Sequence, residues 1–434
     1  MNITLTVPEG STNHGNPGLL CSPPKWYNYV VFFGTNYFSH AATVVSLPGQ
    51  SIQETIMVLI SALFLPSSGV ARAIDVILSH PITFKDPLQR AMRANALCMV
   101  VRDEHINSRM NKVLRLSHRQ RQAAGTPDQE AQLTSPKSAL TMENAGPEPP
   151  SGILQPPRSE ELDWWGYLVP PVHGGAKVHG QQLLPKGYSL AIVPDWTVVK
   201  FDNSQDSNEQ DGIKYSNAEF ACNYNIPKLL VSFIQAAWAI ITLYQTRGDQ
   251  IEQYGFAAFG LTVAPFAFMS VVNIIANAST PEYPTLYLIK TPLMEEAIKE
   301  HGSFDGVVGT VDHSSTVNAR NKLLNSNGFS YWSFLAQCVS LAMAFVPLAI
   351  VGSLSGFRKQ HSTALEQGFT MAWLGAGCFF GLSGHETIKN IFREGDDEEI
   401  ISILSIVPLI APGIGGMVIV GKMFYEFGTC TRLN

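Results

Sequence analysis

Charge is scarce in this sequence. Only 15% of its 434 residues are Asp, Glu, Lys or Arg, against about a quarter in ordinary soluble proteins. A formal net charge of -6 gives no basic surface for nucleic acid, so no nucleic-acid partner is expected. Cysteine is sparse as well. Cys21, Cys98, Cys222, Cys338, Cys378 and Cys430 stand far apart without a C-x-x-C spacing, which reads as neither a disulfide framework nor a zinc site. No metal and no other cofactor is expected. The metalloprotease H-E-x-x-H, the G-x-S-x-G elbow and the phosphate loop are all missing, as are D-D-x-x-D and D-x-D-D acidic motifs. The first 25 residues are polar and rich in Pro and Gly, unlike a cleavable signal peptide.

What the chain does have is long apolar runs. A helix needs about 20 largely apolar residues to cross roughly 30 Å of hydrocarbon. Residues 229–244, 255–276, 331–354 and 400–420 satisfy this. Residues 369–383 reach spanning length if the helix runs on to Ile388. Residues 26–45 are long enough but carry Asn36, Ser39 and His40. The weakest run, 55–77, has Pro66-Ser67-Ser68-Gly69 in its middle and Arg72 and Asp75 near its end. The expected fold is an all-α polytopic membrane helix bundle of about seven transmembrane helices, with a large, partly disordered cytoplasmic insert holding a little β structure. Residues 1–25 form a polar N-terminal segment, 26–78 the first two membrane segments, 79–225 the insert, 226–421 segments three to seven, and 422–434 a tail.

Within the insert, Asp86-Pro87-Leu88-Gln89 reads as a helix start, with Asp as N-cap and Pro in the first turn; an amphipathic helix over 86–102 is expected. Arg102, Arg109, Lys112, Arg115, Arg119 and Arg121 follow, and this basic run assigns the insert to the cytoplasm. Residues 122–160 are too polar to bury a core and read as disordered. Order resumes over 161–225, where 193–201 alternates as a strand and pairs, in this reading, with 213–215. With seven crossings the N-terminus is cytoplasmic and the C-terminus lumenal, in the endoplasmic reticulum membrane. If the second segment only enters and returns, the N-terminus moves to the lumen and everything after it stays in place. The sequons at Asn2 and Asn277 bear on this choice, because Asn2 is usable only in the second arrangement and Asn277 is cytoplasmic in the first.

Ionisable groups inside membrane segments are costly to keep and are functional candidates by default. His40 lies one turn from Asn36, and the plainer reading is an interhelical hydrogen bond. Glu54 sits at the mouth of the second segment, where a carboxylate is more often solvated than catalytic. Arg72 and Asp75 share a helix face just beyond the Pro66–Gly69 break, whose freed backbone groups need partners within the protein. A site there stands against a structural salt bridge. His385 and Glu386 end a Gly-rich segment and face either a cavity or a helix interface. Trp164 and Trp165 read as an interfacial anchor or as a lid with aromatic faces toward a cation. The acidic runs 202–206 and 396–399 read as solvated loops.

Several landmarks together resemble one group of fungal integral membrane proteins. They are Asn36-Tyr37-Phe38-Ser39-His40-Ala41-Ala42-Thr43, Leu47-Pro48-Gly49, Leu65-Pro66-Ser67-Ser68-Gly69-Val70-Ala71-Arg72, the run from Arg93 to Arg102, and Trp165-Gly166-Tyr167 with Pro170-Pro171-Val172-His173-Gly174. The resemblance covers most of the chain and is densest before residue 175. Members with an assigned role are membrane-bound terpene cyclases of meroterpenoid pathways of the ascofuranone and macrophorin type. It implies a cyclase that protonates an alkene or epoxide in the prenyl chain of a lipophilic, membrane-soluble substrate. Such chemistry needs a carboxylic acid kept protonated in a dry site and aromatic faces toward the growing cation. Asp75, Glu54 and Glu386 are the acid candidates, with Arg72, His40, His385, Trp164 and Trp165 around the substrate. A transporter, which predicts matching broken helices in two halves, and a non-catalytic membrane scaffold are the alternatives.

Overall fold

A computed structural model describes residues 7–16, 18–79, 85–103, 170–172, 175–201, 213–215, 222–312, 314–316, 338–391 and 399–432; the side chains of 213–215, 379–391 and 399–407 are outside that description. The chain is mostly helical. Among the described residues four helices, Ile226–Gln245, Phe259–Ser279, Cys338–Ser355 and Pro408–Phe427, are long and apolar enough to cross a membrane, and a bent pair makes a fifth if counted as one span.

A helix in three pieces opens the bundle: α1 (Trp26–Phe33), a π-helical turn (Gly34–Phe38) and α2 (Ser39–Ala42). The bent pair follows, α3 (Ile52–Phe64) and α4 (Pro66–Leu78), whose axes turn by 119° at Leu65. Proline explains the break, since it removes a backbone donor yet suits the first turn of a new helix. Side chains satisfy the elbow. Trp373 Nε1 donates to Phe64 O at 3.0 Å, Ser61 Oγ donates to Ser68 Oγ at 3.1 Å, and Ser67 Oγ donates to Gly377 O. Helices α6 (Ile226–Gln245) and α8 (Ala264–Ser279) pack as a hairpin around a short α7 (Asp249–Tyr254). Helices α10 (Val346–Ser355), α11 (Ala364–Ile391) and α12 (Glu399–Phe427) complete the bundle. Its interior is aromatic: Tyr37 and Phe266 are fully buried and pack edge to face, with Phe32, Phe259, Trp373 and Phe424 around them. Its exterior keeps Leu230, Phe233, Ile234, Trp238 and Ile241 of α6 exposed.

The bundle has two distinct ends. At one, β1 (Leu19–Ser22) pairs antiparallel with β9 (Thr429–Arg432), and Cys21 and Cys430 form a disulfide. The same end holds the Asn16–Asp249 hydrogen bond and the backbone bond from Phe256 N to Arg358 O. This disulfide corrects the reading of the cysteines as unpaired: 409 residues separate the two, so no local spacing announces them. Cys378 is buried as expected of a thiol in an apolar run, whereas Cys338 is exposed.

At the other end sits a seven-stranded sheet, ordered β3 (Gln182–Leu183), β8 (Ser303–Val311), β7 (Tyr287–Lys290), β2 (Leu97–Arg102), β4 (Tyr188–Ile192), with β5 (Val199–Lys200) and β6 (Ile213–Tyr215) also on β8. Two expectations are corrected here. The helix expected over 86–102 ends early: α5 spans Pro87–Arg93, capped by the Asp86 carboxylate at 3.1 Å from Leu88 N, and Asn95 takes a left-handed φ of 59°. Leu97–Val101 then runs as a strand buried on both faces, which is why its apolar run is continuous rather than alternating. The expected hairpin between 193–201 and 213–215 does not form, because β5 and β6 each pair with β8 instead, antiparallel and parallel respectively. The small ordered part of the insert is therefore half a domain. Its other half is β7, α9 (Pro292–Lys299) and β8, within the stretch assigned to membrane segments three to seven. The expected disordered stretch 122–160 lies outside the described residues.

Candidate functional site

The bent pair positions the site. Both of its ends lie at the sheet end of the bundle: Gly49 N-terminal to α3 accepts a hydrogen bond from Lys177 N at 2.9 Å, and Ser79 after α4 lines a cavity with Ala94 and Asn95. Its elbow reaches the middle of the bundle, where Gly413 of α12 and Trp373 of α11 press on Phe64. The pair thus enters the bundle and comes back.

Where α4 returns, a cavity of about 120 Å³ opens between bundle and sheet domain, walled by Arg72 and Asp75 on α4, Asn277 on α8, Glu282 and Tyr283 beyond it, and the 45–48 loop. A second hollow of about 500 Å³ shares Ser46, Leu47, Glu282 and Tyr283 with it and extends past Gln50 and Asn223. Together they form one cleft at the junction. Arg72 is only 3% exposed. Its Nε donates to Val45 O at 2.8 Å and its Nη2 to Gln50 Oε1 at 2.6 Å, so this guanidinium pins the loop that forms the cleft wall. Glu54, half-buried in the first turn of α3, and Asp75, exposed in the cavity wall, both lie within electrostatic range of it. Lys228 Nζ closes the rim, donating to Glu282 Oε1 at 3.0 Å and to Ser46 Oγ at 3.1 Å. Burial holds the Tyr283 phenol above its ordinary range.

The other expected site residues divide. His40 is fully buried in the bundle, and its Nδ1 shares a 2.5 Å hydrogen bond with Ser270 Oγ on α8. Asn36 accepts from Thr242 Oγ1 at 3.0 Å, so both polar residues make interhelical hydrogen bonds. His385 and Glu386 lie on α11. That helix packs along α4, and Ser67 meets it at Gly377. Glu386 is nine positions beyond Gly377 and Asp75 eight beyond Ser67. The backbone therefore brings both positions to a similar level, since each residue of helix rises about 1.5 Å. Trp164, Trp165 and Asn2 lie outside the described residues. Asn277 is 7% exposed at the end of α8, its Nδ2 donating to Thr43 O at 3.4 Å, a position that does not present a sequon.

Sequence reasoning overlooked Gln50, Glu282 and Tyr283, which come together only through the fold. It also overlooked Asn273, although a signal existed: Ser270, Asn273 and Asn277 recur at helical spacing in an otherwise apolar run. Among the described residues one group of metal-type ligands clusters, His14 with Cys21 and Cys430, and the disulfide already engages both of its sulfurs. No protein-family model, curated protein or solved structure matches the chain at a significant level.

Proposed function

We propose that the chain is a multi-pass membrane enzyme of the endoplasmic reticulum that cyclises the prenyl chain of a lipophilic meroterpenoid precursor. The observation that carries this reading is the junctional cleft, a hollow with Arg72, Asp75, Asn277 and Glu282 in an otherwise mostly apolar wall, set at the end of an apolar bundle and floored by a bent helix pair. An amphiphilic substrate would send its polar end into the bundle and leave the terminus of its prenyl chain in the cleft, and the sequence resemblance supplies the reaction class.

In this reading the chain crosses the membrane six times, through residues 26–42, 226–245, 259–279, 338–355, 364–391 and 399–427, while α3 and α4 enter and leave from one side. An even number of crossings accords with a disulfide between segments flanking the first and last helices. The basic run puts the sheet domain in the cytoplasm. Both termini then face the lumen, where disulfides persist.

Cyclisation by protonation is balanced without a co-reactant: one acid adds a proton to the alkene or epoxide, and one base removes a proton from the final cation. Asp75 and Glu54, the two carboxylates within electrostatic range of the Arg72 guanidinium, are assigned to the base. Glu386, on α11 at the level of Asp75, is then the initiating acid, and the aromatic bundle interior offers ring faces to the cation. The transporter alternative is less well supported, since the described residues contain one bent pair and no counterpart in a second half.

Microsomes containing the chain, fed a linear farnesylated aromatic and its epoxide, should yield an isomer of unchanged mass. Asp75→Asn and Glu386→Gln should each lower conversion by about 10²-fold or more, as expected for general acid–base groups. Full activity in both removes them from these roles. No conversion across the panel sinks the cyclase reading in favour of a transporter or scaffold.

A further inference from the structure

Hydrogen bonds account for most polar side chains buried between α2, α6 and α8, but not for one group of them. Asn273 is completely buried, and neither its Nδ2 nor its Oδ1 has a partner. His40, also 0% exposed, uses Nδ1 on Ser270; its ring lies near the Thr35 backbone, but Nε2 has no partner at hydrogen-bond geometry. Asn277 uses Nδ2 on Thr43 and leaves Oδ1 without one. Positions 270, 273 and 277 fall at i, i+3 and i+7, one stripe of α8. Since His40 engages the stripe at 270 and Thr43 engages it at 277, Asn273 sits on it between those two contacts. The stripe leads to the junctional cavity, whose wall includes Asn277.

Each buried donor or acceptor left unmade costs about 1–3 kcal/mol, and three such atoms along one stripe, with a fourth on His40 facing it, are too many to be incidental to packing. A bridging role would require partners across the helix interface, and the neighbouring Thr43 and Gln235 are already bonded to each other at 3.1 Å. We propose that Asn273, Asn277 and His40 form a buried binding site for the hydroxyl group of a lipid-soluble small molecule entering through the junctional cavity. A hydroxyl donates and accepts at once, and an Asn amide presents both functions side by side. His40 Nε2 serves a hydroxyl in either tautomer, donating to its oxygen or accepting its proton. The stripe itself carries no formal charge, so a neutral ligand is preferred to an anion. The probe chosen below rests on the enzyme reading above; the site does not.

The test is thermal melting and probe titration of the detergent-purified full chain with a farnesylated resorcinol and with its dimethyl ether. The free phenol should raise Tm in a saturable manner and the ether should not. Asn273→Leu, close to isosteric, should leave the Tm of the unliganded protein unchanged or raise it, because it removes unpaired polar atoms, and should weaken phenol binding about tenfold, the equivalent of about 1.4 kcal/mol. Asn273→Ser, a smaller change, should weaken it in the same direction. A marked fall in unliganded Tm for both variants would show Asn273 to be a structural strut and overturn the site. Undiminished phenol binding in both, binding of the ether equal to that of the phenol, or no Tm shift in the wild type would each overturn it too. Binding without turnover would count against the cyclase reading and leave the site standing, whereas turnover with phenol binding indifferent to position 273 would do the reverse.

Discussion

Replacing Arg72 by Met tests whether the cleft wall is held by one side chain. Met keeps much of the aliphatic volume and removes the guanidinium, and with it two charge-assisted hydrogen bonds, to Val45 O and Gln50 Oε1. Such bonds contribute about 1.5–3 kcal/mol each, so their loss amounts to about 3–6 kcal/mol. Two considerations reduce that figure. Gln50 Oε1 also accepts from Leu47 N at 3.0 Å and is not orphaned, and Met spares the cost of desolvating a buried cation. A net loss of about 2–3 kcal/mol is expected. Unfolding of the purified chain by denaturant, followed by tryptophan fluorescence, measures the global effect. The local effect is read by trypsin at Lys177, whose backbone is tied to Gly49 of the same loop and should be cut faster. Arg72→Lys should fall between Met and wild type, because an ammonium cannot reproduce the two-pronged geometry. Stability of Arg72→Met within about 0.5 kcal/mol of wild type, the range of ordinary surface substitutions, together with unchanged cleavage, would refute the argument.

Gly69→Ala should cost about 1–3 kcal/mol by overpacking, since a Cβ there would meet Met269 Sδ at 2.5 Å and Val44 at 3.2 Å; a chemical melt measures it. Maleimide–polymer labelling in denaturant should count four cysteines before reduction and six after. Glycosidase treatment should remove mass that Asn2→Gln abolishes and Asn277→Gln does not; the reverse result would place α8 the other way round in the membrane. Lys200, bonding to Asp312 at 2.5 Å, and the Ser314 and Ser315 donors hold that carboxyl below its ordinary range. A depressed carboxylate stabilises the fold above its unfolded pKa and loses that contribution as pH falls through the folded value. Melting curves of wild type and Asp312→Asn should therefore differ at neutral pH and converge as the solution is acidified.

Where helix or strand was legible in the sequence, a local pattern carried it. The Asp86 cap, the 226–245 run and the break at Pro66 were all readable because caps, apolar length and proline act within a few residues. The strand at Leu97–Val101 was misread because a short apolar run looks alike in a buried strand and a buried helix, and only its two neighbours, from residues 188–192 and 287–290, decide the matter. The same dependence on distant partners hid the disulfide and the second half of the sheet domain. For the candidate site, the break and the Arg72–Asp75 stretch mark the helix that walls the cleft. The ends of Arg72's hydrogen bonds, at Val45 and Gln50, belong to the preceding loop and could not be read from spacing on α4. Asn273 was passed over for a different reason: a lone Asn in an apolar run is usually a satisfied bundle residue, and its lack of partners is a property of the packed structure.

The bond between Cys21 and Cys430 makes the polypeptide a closed ring in which every helix of the bundle is a link. Once formed, it changes what a protease can do. A single cut between the two cysteines opens the ring without dividing the molecule, and the two pieces migrate together until a reductant separates them. Electrophoresis of lightly digested protein with and without reductant should therefore show scission only in the reduced lane.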